Sequence, residues 1–248
     1  MITVKSSEEL AIMRKACKIT GDVLKFLEDK VKPGVTTKEL DRLAEKFIRD
    51  CNAYPSFKGY RGYPATLCVS IDDEVVHGIP NEKRRLEEGS IVSIDVGAYF
   101  NGFHGDAART FPVGKVSPEK LKLIEVTKQS FFEGVKYAKA GNRIGDIASA
   151  IQNYCESFGY SVVRALTGHG IGKEMHEDPE VPNFGKAGHG VRLSANMTIA
   201  VEPMINMGRY DVDFLPDGWT VRTKDKLPSA HYENTIAITD GEAEILTL

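Results

Sequence analysis

The feature that most constrains the fold is an internal similarity between two segments that match at an offset of 107 residues. Residues 32–53, KPGVTTKELDRLAEKFIRDCNA, align with residues 139–160, KAGNRIGDIASAIQNYCESFGY. Apolar residues at helical spacing coincide, for example Leu40 with Ile147. Any two amphipathic helices align tolerably, so the match becomes informative only because the same offset recurs elsewhere in the chain.

Strand-like segments that each carry one carboxylate repeat in the same way. The offset of 107 places Asp95, in SIVSIDVG, on Glu202, in MTIAVEP. An offset of 127 places HGDAARTFPVG on HYENTIAITDG, and Asp106 on Glu233. The second half therefore has an insertion of 20 residues between about 204 and 230.

These repeats predict one α+β domain over residues 1–248, with halves of approximately 1–115 and 116–248 related by a pseudo-twofold axis. Each half is expected to place antiparallel strands under two helices. Capping residues and apolar patterns predict helices from Ser6 to about 30, from Thr36 onward, from Ser117 to about Lys139 and over about 143–157, and strands over 65–71 and 90–96.

Composition narrows the class of protein. The 248 residues are 42% apolar, which is enough for a sizeable core without disulfides. The net charge is −3 and no block of basic residues indicates nucleic-acid binding. The four cysteines lack CxxC spacing, and neither a signal sequence nor an apolar run of about 18 residues is present. We therefore expect a soluble cytoplasmic protein without a membrane partner.

A hairpin over residues 93–110 is predicted to bring two aspartates together. Asn101-Gly102 is a strong turn signal, and a turn there pairs Asp95 with Ala108 and Asp106 with Gly97. Both aspartates then lie on one face, with Gly97 expected to leave open space beside Asp106. The opposite face is predicted to be apolar through Val92, Val96, Ala107 and Phe111, although Arg109 on that face has no explanation in the sequence.

Four carboxylates brought together need positive charge, or most of them must stay protonated. Two divalent metal ions would balance them. The sequence TGHGIG offers a further ligand in His169, whose glycine neighbours allow close backbone approach, while its spacing is not that of a phosphate-binding loop. His77 and His176 each precede a proline by three residues and are candidates for a cleft.

These residues resemble a known family. The segments YRGYPATLCVSIDDEVVHGIP, SIDVGAYFNGFHGDAART, GHGIG, HEDP, AVEPM and DGWTVRTKD–HYENTIAIT are similar to those of type I methionine aminopeptidases over essentially residues 3–248. The family has the pita-bread fold, in which two pseudo-symmetric halves surround a dinuclear metal site. The zinc-finger extension of eukaryotic members has no counterpart here, so the resemblance is to the bacterial type.

The resemblance also implies roles for individual residues. The metal ligands are implied to be Asp95, Asp106, His169, Glu202 and Glu233, with Asp106 and Glu233 bridging two ions. His77, His176 and Glu202 are the implied catalytic residues. The implied substrate pocket consists of Phe57, Tyr60, Tyr63, Cys68, His77, Met175, His176 and Trp219. Phe57, Met175 and His231 stand where cysteine, phenylalanine and glutamine, respectively, are the residues expected from the family.

The implied activity is removal of the N-terminal methionine from nascent proteins and peptides, preferably before a small second residue. The implied cofactors are two divalent ions per chain, with Co²⁺, Mn²⁺, Fe²⁺ and Zn²⁺ all left open. We expect a monomer, and action on nascent chains is compatible with transient ribosome contact, for which no motif is present. The alternatives are a proline-specific aminopeptidase-like enzyme, which usually has an extra N-terminal domain, and a non-catalytic binding protein of the same fold.

Overall fold

A computed structural model describes residues 2–248. Its helices are α1 (Ser7–Glu28), α2 (Thr37–Asp50), α3 (Pro118–Val135) and α4 (Ile144–Ser157), and a short 3₁₀ helix spans Tyr60–Gly62. The strands are β1 (Tyr54–Pro55), β2 (Leu67–Ile71), β3 (Glu74–Val76), β4 (Ile91–Phe100), β5 (Phe103–Pro112), β6 (Ser161–Val162), β7 (Gly168–Gly170), β8 (Glu177–Val181), β9 (Thr198–Val201), β10 (Met204–Asn206), β11 (Val212–Phe214), β12 (Val221–Thr223), β13 (Ser229–His231), β14 (Glu233–Ala237) and β15 (Glu244–Ile245).

The predicted helix starts are confirmed, and a side-chain oxygen caps α1, α2 and α3. Ser6 and Glu9 form a capping box at the start of α1, and the Thr36 hydroxyl accepts the amide hydrogen of Glu39 at the start of α2. Helix α3 was expected to continue to about Lys139 but ends at Val135. The reason is a tertiary contact, because Lys139 forms a β-bridge with Thr239 and so leaves the helical path.

A sheet of nine antiparallel strands organises the molecule. Its main path runs in the order β1-β4-β5-β14-β9-β7-β8, with β2 added to β4 and β15 added to β14. Two three-stranded sheets, β13-β10-β6 and β11-β12-β3, take up most of the segment that interrupts the second repeat. The fold is therefore α+β with antiparallel sheets, as expected.

The offset of 107 residues recurs in the elements themselves. Helix α4 begins and ends 107 residues after α2, and the bridge between Arg143 and Arg192 follows that between Thr36 and Arg85 by the same offset. In each half the helix buries its apolar side against the large sheet, with Leu40 in one core and Ile147 in the other. The division of the chain into halves at about residue 115 stays a prediction.

Arg109, which the sequence left unexplained, ties two strands and the C-terminal segment together. Its guanidinium donates to the carbonyl oxygens of Ala108, Glu233 and Thr247 and to Oδ1 of Asn234. It also lies 4.3 Å over the ring of Tyr232, where a cation is attracted to the aromatic face. Apart from the adjacent Ala108, the partners that satisfy the charge lie far away in sequence.

Candidate metal centre

Five neighbouring strands of the large sheet each bring one of the side chains predicted to bind metal to the same place. Asp95 lies on β4, Asp106 on β5 and His169 on β7, whereas Glu233 begins β14 and Glu202 directly follows β9. The hairpin register is the predicted one, with Asp95 opposite Ala108 and Gly97 opposite Asp106. Asn101 and Gly102 both have positive φ, at 47° and 91°, as a two-residue type I′ turn requires.

The side chains form two groups that share one carboxylate. Oxygen and nitrogen atoms of Asp106, His169 and Glu233 lie within 4.8 Å of one another, and so do those of Asp95, His231 and Glu233. His169 Nε2 is 3.7 Å from Asp106 Oδ2 and 3.7 Å from Glu202 Oε1. The sheet therefore juxtaposes all five ligands predicted from the sequence.

The site makes ionised carboxylates costly. Burial raises the pKa of Asp106 to about 7. Burial raises the pKa of Asp95 and of Glu233 well above the usual range, and the charge of Asp106 raises both further. Burial is also the main cause of the raised pKa of Glu202. Each shift has the same origin, which is that anions are held together away from water.

The unsatisfied atoms of this cluster fit divalent cations. Among residues 2–248, buried Oδ1 of Asp95, Oδ1 of Asp106 and Oε1 of Glu233 have no hydrogen-bond partner. A buried polar atom is normally paired, and carboxylate oxygens are strong ligands for metal ions. Two divalent cations would supply four positive charges to the four carboxylates. The donor set therefore fits the metal chemistry that the sequence predicted.

The glycines around His169 allow strands to approach closely, as the sequence suggested. A Cβ on Gly168 would lie 2.4 Å from the carbonyl oxygen of Ala200, and one on Gly170 would lie 2.1 Å from that of Asp178. His169 Nδ1 lies 2.8 Å from the carbonyl oxygen of Gly170. That contact leaves Nε2 directed at the carboxylates, which is the usual arrangement of a metal-binding imidazole.

A cavity of about 170 Å³ opens onto the carboxylates. Its apolar side is formed by residues that pack as one cluster and were all predicted for the substrate pocket: Phe57, Tyr60, Tyr63, Cys68, Met175 and Trp219. Tyr63 is fixed by hydrogen bonds from its hydroxyl to the carbonyl oxygens of Leu67 and Gly78. The cavity therefore joins an apolar, sulfur-containing and aromatic pocket to a polar wall of carboxylates and His169.

The two predicted catalytic histidines line the same cavity. His176 Nδ1 lies 2.9 Å from the hydroxyl of Tyr60, and its ring centroid is 4.1 Å from that of His169. His77 has a φ of 62°, which is strained for a residue with a side chain, and it lies edge-on to Trp219. Burial lowers the pKa of His77, which favours the neutral imidazole. Strained backbone of this kind is concentrated at functional sites.

The structure corrects one expectation and adds two residues. The space beside Gly97 is filled, because a Cβ there would lie 2.7 Å from Ser56 Cβ and 2.9 Å from Phe57 Cε1. Arg61 lines the cavity, and His231 faces the carboxylates, but neither was assigned to the site from the sequence. His231 precedes Glu233 by two residues, so strand alternation places both side chains on one face and could have identified it.

Comparison with known proteins agrees with this geometry. Residues 11–240 match metallopeptidase family M24. A methionine aminopeptidase of Clostridium acetobutylicum is 58% identical over 248 residues, which are 100% of this chain and 99% of the relative. The crystal structure of methionine aminopeptidase from Rickettsia prowazekii superimposes with a TM-score of 0.98 at 44% identity, covering 100% of both chains.

A prolidase from Pyrococcus furiosus shares the fold at lower similarity. Its TM-score is 0.78 at 25% identity, and the match covers 99% of this chain but 65% of the prolidase. These structures confirm the pita-bread fold expected from the sequence motifs, and metallopeptidases of this kind use divalent metal ions. No helix within residues 2–248 has the length and apolar character needed to cross a membrane. The chain belongs to metallopeptidase family M24.

Proposed function

We propose that this protein is a methionine aminopeptidase, which hydrolyses the first peptide bond of proteins and peptides that begin with methionine. The observation that carries the proposal is one cavity with two chemically different walls. One wall is the cluster of four carboxylates and His169, and the other is the pocket around Cys68 and Trp219. The Clostridium and Rickettsia relatives, which bear that name, support the same activity.

Two divalent ions would be held by the five residues Asp95, Asp106, His169, Glu202 and Glu233. When bound, such ions lower the pKa of a bound water and polarise the carbonyl group under attack. Four of the five side chains would bind through oxygen and one through nitrogen. This donor set favours Mn²⁺ or Fe²⁺, whereas typical structural zinc sites contain softer thiolate ligands. Co²⁺ and Zn²⁺ stay candidates for the same ligands.

The protein's own groups direct the proton and the developing charge. Glu202 accepts the proton of the attacking water at a carboxylate oxygen and passes it to the leaving amine nitrogen as the C–N bond breaks. His176 contacts Tyr60 through Nδ1, which leaves Nε2 to donate to the oxyanion that develops on the carbonyl oxygen. His77 binds the substrate backbone on the other side of the cavity.

The pocket determines which N-terminal residue is removed, because it accepts that residue's side chain. Phe57, Tyr63 and Cys68 are nearly buried, and Trp219 packs edge-on against Tyr63 at 4.9 Å between ring centroids. A flexible thioether makes favourable contacts with aromatic rings and fits a narrow apolar cavity, whereas a branched side chain does not. We infer a preference for methionine at the first position and for a small residue at the second.

The direct test is release of free methionine from a Met-Gly-type peptide by the metal-loaded protein, with an Xaa-Pro peptide as the comparison. Our proposal predicts methionine release and little cleavage of the Xaa-Pro peptide. Preferred cleavage of the Xaa-Pro peptide would indicate the proline-specific alternative. Absence of any cleavage by fully loaded protein would favour a binding protein of this fold.

Replacing His176 by alanine is expected to lower kcat by about 10²–10³-fold, because one donor to the oxyanion is lost. The bound metal should be unchanged, since His176 is not among the proposed ligands. Steady-state kinetics and metal analysis of the purified variant check both points. His189→Ala, which alters an exposed histidine elsewhere, is the matched control. A parallel fall in metal content would contradict the role assigned to His176.

Replacing Cys68 by leucine should raise KM for methionine peptides by roughly tenfold or more, because methylene-sized changes in an apolar pocket are worth about 1–3 kcal/mol. Cys68 is 5% exposed and lines the cavity, so leucine would occupy volume needed by the substrate. Cys51→Leu is the control, since Cys51 caps the end of α2 away from the cavity. Equal KM values for the two variants would show that Cys68 does not limit the pocket.

The setting of the activity follows from its substrate. An enzyme that removes methionine from newly made proteins acts in the cytoplasm on nascent chains, and we propose that location and a monomeric state for this protein. Transient contact with the ribosome would be consistent with such a substrate.

A further inference from the structure

His231 is a buried histidine at the metal centre that the five-ligand arrangement does not use. It ends β13, two residues before Glu233, and is 1% exposed. Its Nε2 lies 3.5 Å from Glu233 Oε2 and 3.9 Å from Glu202 Oε2. Within the described part of the chain, neither ring nitrogen has a hydrogen-bond partner. A buried imidazole that is aimed at carboxylates and lacks a partner requires an explanation.

The geometry around His231 mirrors that around His169. His231 forms a group with Asp95 and Glu233, and His169 forms one with Asp106 and Glu233. In both groups the potential ligand atoms lie within 4.8 Å of one another. Glu233 is common to both, as expected of a carboxylate between two ions. Each half of the cluster therefore offers one imidazole nitrogen together with carboxylate oxygens.

We propose that His231 is a sixth ligand side chain, which binds through Nε2 the ion held by Asp95 and Glu233. The inference rests on the proposed dinuclear centre and adds a ligand to it. With His231 included, the second ion has a mixed nitrogen and oxygen donor set in place of oxygen alone. Imidazole suits Fe²⁺, Co²⁺ and Zn²⁺ more than Mn²⁺ or Mg²⁺, so the second site is expected to favour the former group.

The test uses the wild-type chain and His231→Gln, loaded with Co²⁺ alone. Protons on the ring nitrogens of Co²⁺-bound imidazoles give strongly shifted NMR resonances, which count the coordinated histidines. Two such resonances are expected for the wild-type protein, from His169 and His231, and one for the variant. His189→Gln is the matched control and should keep both resonances.

Equilibrium dialysis provides a second readout that is independent of catalysis. Loss of a ligand should weaken Co²⁺ binding at the second site by at least about tenfold. Mn²⁺ binding at that site should weaken less, because Mn²⁺ depends more on the carboxylates. A residue that only positions the carboxylates would weaken both metals equally.

Equal weakening of Co²⁺ and Mn²⁺ binding would overturn the inference, and so would either of two further results. One is a single coordinated imidazole in the wild-type protein, a measurement that does not require any variant to fold. The other is His231→Gln with both resonances and unchanged Co²⁺ affinity. Failure of the proposed function would be a different result, namely no methionine release by wild-type protein that carries both ions.

Discussion

Replacing Asp106 by asparagine is expected to abolish methionine release while leaving the metal-free protein at least as stable as the wild type. Metal ions contribute several kcal/mol to catalysis, so loss of about 4 kcal/mol would lower kcat/KM by about a thousandfold. Asp106 lies at the middle of the cluster, with His169 Nε2 3.7 Å away and Asp95 and Glu233 as close neighbours. Asparagine has nearly the same shape but does not provide an anionic ligand.

Asp106→Asn should not lower the stability of the metal-free protein, although it lowers the activity. The reason is that the clustered carboxylates repel one another when no cation is bound. Asparagine removes one of the four carboxyl groups whose pKa burial raises, so the free energy of unfolding in the presence of a chelator should not fall. With metal at about 100 times its Kd, the wild type should instead gain about 2.7 kcal/mol for each ion bound, and the variant should gain less. Urea unfolding with and without metal measures both differences.

Asp50→Asn is the control, since it removes the same charge from an exposed ion pair with Lys46. Surface changes of that kind usually alter stability by no more than about 0.5 kcal/mol. Retained activity in Asp106→Asn would contradict the assignment of Asp106 as a metal ligand. Marked destabilisation of the metal-free variant would contradict the repulsion argument.

Replacing Gly170 by alanine is expected to destabilise the protein by about 3 kcal/mol or more, as occurs when a well-packed site is overfilled. The new Cβ would lie 2.1 Å from the carbonyl oxygen and 2.7 Å from the carbonyl carbon of Asp178. Both are backbone atoms, so rotation of a side chain cannot relieve the clash. Strands β7 and β8 must separate, and His169, the neighbour of Gly170, must move with them.

The melting temperature should fall by roughly 6–12 °C, since each kcal/mol corresponds to about 2–4 °C in a chain of this size. Metal affinity should fall as well, because His169 is displaced. Gly241→Ala is the matched control, because among residues 2–248 its Cβ would meet only the Thr239 hydroxyl oxygen, at 3.9 Å. Unchanged stability in Gly170→Ala would show that these strands can separate at little cost.

Local rules predict the register of the central hairpin and the clustering of the five candidate ligands well. Asn101-Gly102 fixes the register, and the alternation of a strand then places Asp95 and Asp106 on one face. The internal repeat aligns Asp95 with Glu202 and Asp106 with Glu233, so it predicts a second pair of carboxylates on neighbouring strands. Chemistry at the site is therefore encoded in short segments, each of which can be interpreted without knowledge of the whole fold.

Long-range packing sets the limit of such prediction. The sequence near Gly97 contains no sign that Ser56 and Phe57 fill the space beside it. Arg109 has no explanation in the local sequence because its partners, which include Thr247 and the ring of Tyr232, contact it only in the folded chain. Helix α3 ends early for a similar reason, since its continuation pairs with a distant strand segment.

We propose that the four clustered carboxylates and His169 form a dinuclear metal centre. The most direct measurement is the number of divalent ions bound per chain, obtained by equilibrium dialysis of metal-free protein against Co²⁺ or Mn²⁺. We predict two ions per wild-type chain and fewer than two in Asp106→Asn. A wild-type chain that binds no divalent ion, or that binds equally well after this substitution, would contradict the account.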